Sequence, residues 1–221
     1  MIPPSPLPAK AVAAAAAAGR GVLRRNEFAF GPFKIFPPAA ETLRGGEREL
    51  NYADIRPIDV ANGPGVRVSL FVSGCTHACP GCFNPEAWDF QYGRPFTRAE
   101  AEQVLQALAR PYIKGFSLLG GEPLHPRNQS AVLELVKQVR ARFPDKDIWC
   151  YTGYLYEDLL AGRVGEYGRA LLEQLDVLVD GPFVEAEKDL SLRFRGSANQ
   201  RIIDVPASLR EGQAVLWPEM E

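Results

Sequence analysis

Val66-Arg67-Val68-Ser69-Leu70-Phe71-Val72-Ser73-Gly74-Cys75-Thr76-His77-Ala78-Cys79-Pro80-Gly81-Cys82-Phe83-Asn84 carries a β-rich run directly into three closely spaced cysteines. Val66 to Ser73 is rich in β-branched and apolar residues and predicts a strand that ends at Gly74. Cys75, Cys79 and Cys82 fall within eight residues, and three thiols that close cannot all pair with one another. A disulfide framework spreads its pairs across the chain and usually accompanies secretion. The spacing Cys-x3-Cys-x2-Cys instead lets one loop wrap a metal or an inorganic cluster, with Pro80 and Gly81 supplying the bend and the close backbone approach. Thiolates are soft ligands, suited to iron–sulfur clusters or to zinc.

A structural zinc site needs a fourth protein ligand. His77 is the nearest in sequence, although its place inside the first gap makes reaching the same ion awkward. Cys150 sits at the end of a predicted strand and reads equally as a small buried hydrophobe. The other solution is a cubane with three cysteine-bound irons and one open iron, in which the missing ligand is itself functional.

Outward from this loop the pattern alternates strand and helix. Thr97 caps a predicted helix from Arg98 to about Arg110, with Glu100 at the capping-box position and Ala101, Val104, Leu105 and Leu108 on one face. Gly115–Leu119, Asp147–Tyr151 and Asp176–Asp180 read as strands, and Asn128–Phe143 and about Tyr167–Leu175 as helices. Such alternation predicts an α/β fold with a mostly parallel sheet, whose sites lie at the C-terminal ends of its strands. The informative residues fall there: Gly74-Cys75, Gly120-Gly121-Glu122, Thr152-Gly153 and Asp180-Gly181.

The cysteine loop after one strand and Gly120-Gly121-Glu122-Pro123 after the next resemble the radical S-adenosylmethionine (SAM) enzymes. Asn62-Gly63-Pro64-Gly65-x-Arg67 and Phe71-Val72-Ser73-Gly74-Cys75 are similar to their glycyl-radical-activating branch. Asp147-Ile148-Trp149 with Thr152-Gly153-Tyr154, Val177-Leu178-Val179-Asp180-Gly181, and Arg195-Gly196-Ser197-Ala198-Asn199-Gln200 narrow the resemblance to the family that activates anaerobic ribonucleoside-triphosphate reductase. The resemblance runs from about Asn51 to Gln200 and implies a partial, open (β/α) barrel. It implies that Cys75, Cys79 and Cys82 bind a [4Fe–4S] cluster and that SAM chelates the open iron. Backbone around Gly81, Cys82 and Phe83 then faces the adenine end of SAM, and Gly120-Gly121 the methionine end, with Glu122 accepting from the SAM ammonium. Asp180 either helps to organise the SAM site or a nearby cation, or caps the next turn. The implied partners are the glycyl-radical subunit of the reductase and a flavodoxin-like electron donor, in the cytoplasm. The alternatives are an activator of a pyruvate formate-lyase type enzyme, a small radical-SAM enzyme acting on a nucleotide-like metabolite, and a zinc-binding interaction module.

Composition excludes other classes. Lys+Arg 25 against Asp+Glu 27 gives no global field for nucleic acid or an anionic membrane, and 46% hydrophobic with 24% charged residues is ordinary for a globular protein. Residues 1–49 differ: four prolines in the first eight residues, an alanine-rich run from Ala11 to Ala18, and basic residues with no acidic one before Glu27. They read as a low-complexity extension, as an organellar leader, or as translation upstream of a true start at Leu50, with 50–221 as the activator domain. His125 reads as a turn residue, Arg195 and Asn199 as partner-facing or surface-loop residues, and Trp88, Phe90, Tyr92 and Phe96 as aromatic cover for the cysteine loop.

Overall fold

A computed structural model describes residues 50–218; the expectations for 1–49 lie outside the described residues. The strands are β1 (Asn51–Asp59), β2 (Arg67–Val72), β3 (Arg94–Pro95), β4 (Gly115–Gly120), β5 (Asp147–Tyr151), β6 (Val177–Asp180) and β7 (Arg201–Asp204). The helices are α1 (Arg98–Leu108), α2 (Gln129–Arg142), α3 (Tyr156–Leu160), α4 (Gly168–Leu172) and α5 (Val205–Glu211). One open seven-stranded sheet runs in the order β3-β1-β2-β4-β5-β6-β7. Its centre, β2-β4-β5-β6, is parallel, and antiparallel strands flank it on both sides.

The parallel centre follows from the sequence pattern. β2 and β6 are apolar enough to be covered on both faces, as parallel strands must be. On one face Val68, Leu70, Val72, Phe116, Leu118, Ile148, Cys150 and Leu178 meet the inward sides of the helices, including Val104, Leu108, Val132 and Val136, in one continuous core. The opposite face carries Trp149, Val177, Val179 and Ile202, packed by Phe194 and Trp217. Thr97 starts α1 with both halves of the expected capping box in place.

Register decides where function can sit. Val72 pairs with Gly120, Leu118 with Cys150 and Tyr151 with Val179, so the four parallel strands end nearly level. The loops that follow them open side by side.

Some elements differ from the sequence expectation. α1 stops at Leu108, and the helix expected over Tyr167–Leu175 is the short α4. The antiparallel edges carry little signal: β1 contains Pro57 and two register shifts, and β7 has only four residues.

At the other end of the strands, Arg67 is fully buried. Its Nε donates to Ser117 Oγ (2.7 Å), its Nη2 donates to the Phe116 carbonyl (2.8 Å), and Nη2 pairs with Asp147 Oδ1 (2.5 Å). Ser117 Oγ donates onward to the Asn62 carbonyl (2.6 Å), which pins the Asn62–Gly65 turn. Removing the carboxylate takes the counter-ion from a guanidinium at 0% exposure, leaving it only neutral acceptors, whereas the Arg163–Asp158 pair is open to water. Asp147→Ala should therefore cost about 3–5 kcal/mol in urea unfolding and Asp158→Ala less than about 1 kcal/mol; equal losses would contradict a buried pair at this end of the sheet.

Candidate functional site

A cavity of about 930 Å³ lies over the C-terminal ends of the parallel strands. Cys75, Cys79 and Cys82 line it, together with Gly120, Gly121, Glu122, Thr152, Gly153 and Gly181 from the loops that follow β4, β5 and β6. The residues singled out in sequence therefore converge, although they span more than a hundred positions.

The cysteine loop is held from beneath. Gly74 N–H donates to the Ala87 carbonyl (2.8 Å) and Cys75 N–H to that of Trp88 (3.1 Å), so a short 3-10 turn at Pro85–Trp88 supports its start. Gly74 has φ +94°, and a Cβ there would lie 2.1 Å from the Phe90 ring. Phe90 thus covers the loop as expected, while Phe96 packs on Tyr52 in the helical core and Tyr92 stays exposed at the cavity. Cys82 N–H closes a turn onto the Cys79 carbonyl (3.2 Å), and Asn84 N–H donates to Cys82 Sγ (3.5 Å). Hydrogen bonds to a ligating sulfur tune the potential of a cluster. At the far end Phe83 meets Phe183, with ring centroids 5.1 Å apart, so the loop arches over to the segment after β6.

Glu122 joins the pieces. Its side chain is 1% exposed and accepts four hydrogen bonds. Oε1 takes Leu124 N–H (2.9 Å) and Thr152 Oγ1 (2.8 Å); Oε2 takes Gly153 N–H (2.8 Å) and meets His77 Nε2 at 3.0 Å. A carboxylate offers about four acceptor sites, so the protein itself fills this one. The expectation that Glu122 receives the SAM ammonium thus meets a carboxylate already engaged as a brace. His77 is that brace's contact with the cysteine loop, and its ring also packs on Tyr154 at 4.5 Å.

Asn128, read in sequence only as a helix start, is a second brace. Its buried Nδ2 donates to the carbonyls of Ser73 (3.0 Å) and Glu122 (2.9 Å) and so ties the cysteine loop to the Gly120-Gly121-Glu122 turn. That turn has no room for side chains: a Cβ on Gly121 would lie 2.7 Å from the Ala87 carbonyl oxygen and 2.8 Å from that of Gly74. Nothing local in the sequence marks Asn128 for this role, because its partners lie far along the chain.

Asp180 sits behind the cavity wall. Its carboxylate accepts from Tyr156 N–H (2.8 Å) at the start of α3 and from Arg201 Nε (2.9 Å), and Arg201 also grips Glu157 (2.8–3.0 Å). Asn199 Nδ2 donates to the Pro182 carbonyl (2.8 Å) and Gln200 Nε2 to that of Gly181 (3.0 Å), so the Arg195–Gln200 loop closes on the end of β6. His125 behaves as a turn residue whose carbonyl accepts from Asn128 N–H (2.7 Å).

The donor set suits a cluster. Three free, partly exposed thiols come from one loop onto one cavity, above a cradle of backbone. Among the described residues no three metal-binding side chains close on a single point, a convergence that a cubane, giving each thiolate its own iron, does not require. Burial pushes the Cys75 thiol up to about 11, so its proton must leave as iron binds. Cys150 lies fully buried in the helical core, where burial pushes its thiol well above the ordinary value.

Residues 61–203 match the family model described as a 4Fe-4S single cluster domain. The anaerobic ribonucleoside-triphosphate reductase-activating protein of Escherichia coli K12 is 47% identical over 153 residues, 68% of this chain and 96% of that protein. The protein of the same name from Vibrio cholerae is 47% identical over 155 residues, 69% of this chain and 97% of its own length. That of Enterobacteria phage T4 is 43% identical over 155 residues, 69% of this chain and 93% of its own length. The chain belongs to this family of reductase-activating proteins.

The matched domain, described as holding a single 4Fe-4S cluster, includes all three cysteines of the loop. Among the described residues no helix is long and apolar enough to cross a membrane. Two substitutions separate the cysteine loop from the core. Gly121→Ala overpacks backbone against backbone, a strain of about 1–3 kcal/mol, and should lower the iron retained after anaerobic reconstitution. Cys150→Val should retain wild-type iron. Full iron in the first or lost iron in the second contradicts the assignment.

Proposed function

We propose that this chain is a radical-SAM activating enzyme that cleaves SAM reductively at a [4Fe–4S] cluster and generates a glycyl radical on anaerobic ribonucleoside-triphosphate reductase. One observation carries the reading: the cysteine loop and the Gly120-Gly121-Glu122 turn meet at one cavity, in a chain 47% identical to a protein named as the activator of that reductase. Cys75, Cys79 and Cys82 hold the cluster, which with SAM supplies the electron and the hydrogen-abstracting chemistry. The chain's own residues bind, orient and exclude water. Backbone at Gly81, Cys82 and Phe83 takes the adenine end of SAM, and that at Gly120 and Gly121 the methionine end. Glu122 keeps the Thr152-Gly153 loop, His77 and its own turn in register, and Asp180 steadies the strand end beside them. Phe71 and Leu119 give the cavity apolar lining that keeps water from the reacting atoms.

The open sheet supports a reading as a partial (β/α) barrel with a lateral mouth, which admits a glycine carried by another protein. A flavodoxin-like protein is the proposed electron donor and the cytoplasm the proposed location; both rest on the family resemblance and on the sensitivity of such clusters to air.

The test is electron paramagnetic resonance on an anaerobic mixture of reconstituted protein, SAM, a reductant and the reductase from the same source. A glycyl-radical signal on the reductase is expected, and none with Cys79→Ala. SAM cleavage without that signal moves the activity to another substrate, and a colourless, iron-free protein after reconstitution overturns the reading.

A further inference from the structure

Among the described residues eight large hydrophobic side chains are exposed, and three of them, Phe83, Tyr92 and Leu190, line the cavity over the strand ends. They come from separate stretches of chain: the cysteine loop, the segment before β3, and the long connection between β6 and β7. Single exposed apolar side chains are ordinary. A set of them gathered at one opening marks a surface that another molecule covers.

Leu190 is the extreme of the three. It belongs to the cavity lining, yet it is 86% exposed, the highest value of the eight. That exposure is built into the chain. Asp189 Oδ1 accepts from Ser191 N–H (2.8 Å) and from Ser191 Oγ (2.7 Å), and Leu192 N–H reaches the Asp189 carbonyl (3.4 Å), so a turn closes around Leu190. Below the turn an antiparallel bridge joins Lys188 to Ser197, Ala198 N–H donates to the Glu187 carbonyl (2.9 Å), and Ser197 Oγ accepts from Val184 N–H (3.2 Å). The leucine therefore stands on a braced projection, which lowers the ordering cost of binding through it. Lys188 Nζ lies 5.1 Å over the Phe83 ring, which sets the projection beside the arch of the cysteine loop.

Charge does not account for the projection. Between residues 185 and 195 the acids Glu185, Glu187 and Asp189 are matched by the bases Lys188, Arg193 and Arg195, so apolar surface is what it offers. The occupant follows from the function proposed above. A reactive species made in the cavity has to reach a glycine on another protein, so that protein covers the mouth and keeps water out during the reaction. A small-molecule substrate would pass into the cavity and leave the leucine bare.

We propose that Leu190, with Phe83 and Tyr92, forms an apolar docking rim, and that the glycine-bearing partner protein seats an apolar patch of its surface on Leu190. The inference rests on the proposed activating function and adds to it the place where the partner lands.

The test is an anaerobic titration of fluorescently labelled reductase with the cluster-loaded protein, read by anisotropy. Leu190→Asp should weaken the affinity about 10-fold or more, the scale of one leucine covered on binding, and Leu190→Met about 2-fold or less. Tyr112→Ser changes a residue that is 55% exposed just before β4, at the other end of the sheet, and should leave the affinity unchanged. Iron content and SAM cleavage without the partner should stay at the wild-type level in all three variants. Glycyl-radical yield in Leu190→Asp should fall at limiting reductase and recover at saturating reductase, as a docking residue requires. Unchanged affinity in Leu190→Asp, or an equal loss in Tyr112→Ser, overturns the inference. So does self-association of the wild-type protein that Leu190→Asp abolishes while reductase binding stays intact, which would make the rim a contact between copies of this chain. A wild-type protein that neither binds the reductase nor forms its radical refutes the activating function, and the inference falls with it.

Discussion

The site depends on one buried carboxylate. Glu122 follows β4, yet its four donors come from its own turn, from the Thr152-Gly153 loop after β5 and from His77 inside the cysteine loop after β2. A buried carboxylate is stable only when its acceptor sites are filled. The same requirement that makes Glu122 tolerable therefore locks three loops into one geometry. Asn128 repeats the device with carbonyls, binding Ser73 and Glu122 through one amide. A cluster loop that drifted relative to the glycine turn would lose several of these bonds together.

Everything beneath this brace serves the same end. Parallel register brings the strand ends to one level, and the helical core fixes the sheet from one side. At the opposite end the Arg67–Asp147 pair and the bond from Ser117 to the Asn62 carbonyl tie the strands to the turn before β2. Glycines are spent where backbone must touch backbone, and Gly121 between Ala87 and Gly74 shows why that turn tolerates nothing larger. The thiols arrive at a cradle already shaped, which would limit the reorganisation that the proposed cluster has to drive.

Much of this was legible in the sequence because its signals are local. The Cys-x3-Cys-x2-Cys loop, the Thr97–Glu100 capping box and the apolar runs of the central strands are each encoded within a few residues. Convergence at the strand ends followed from the parallel alternation rather than from any single motif. What escaped is long-range or weakly patterned. Arg67 and Asp147 lie eighty residues apart, and Asn128 looks like any helix-opening residue until its carbonyl partners are known. The antiparallel edges were missed because Pro57 interrupts β1 and β7 is too short to show a period. The family resemblance implies a contact between Glu122 and SAM, and only the folded chain displays its four internal donors.

In the function proposed above, the cysteine loop and the glycine turn form one site, in which a three-cysteine cluster keeps an iron open to SAM. The most direct measurement is the electron paramagnetic resonance spectrum of the reduced, reconstituted protein recorded with and without SAM. A [4Fe–4S] signal whose g-values shift when SAM is added is the predicted result. A cluster signal indifferent to SAM, or a protein that takes up zinc and shows no signal, would contradict it.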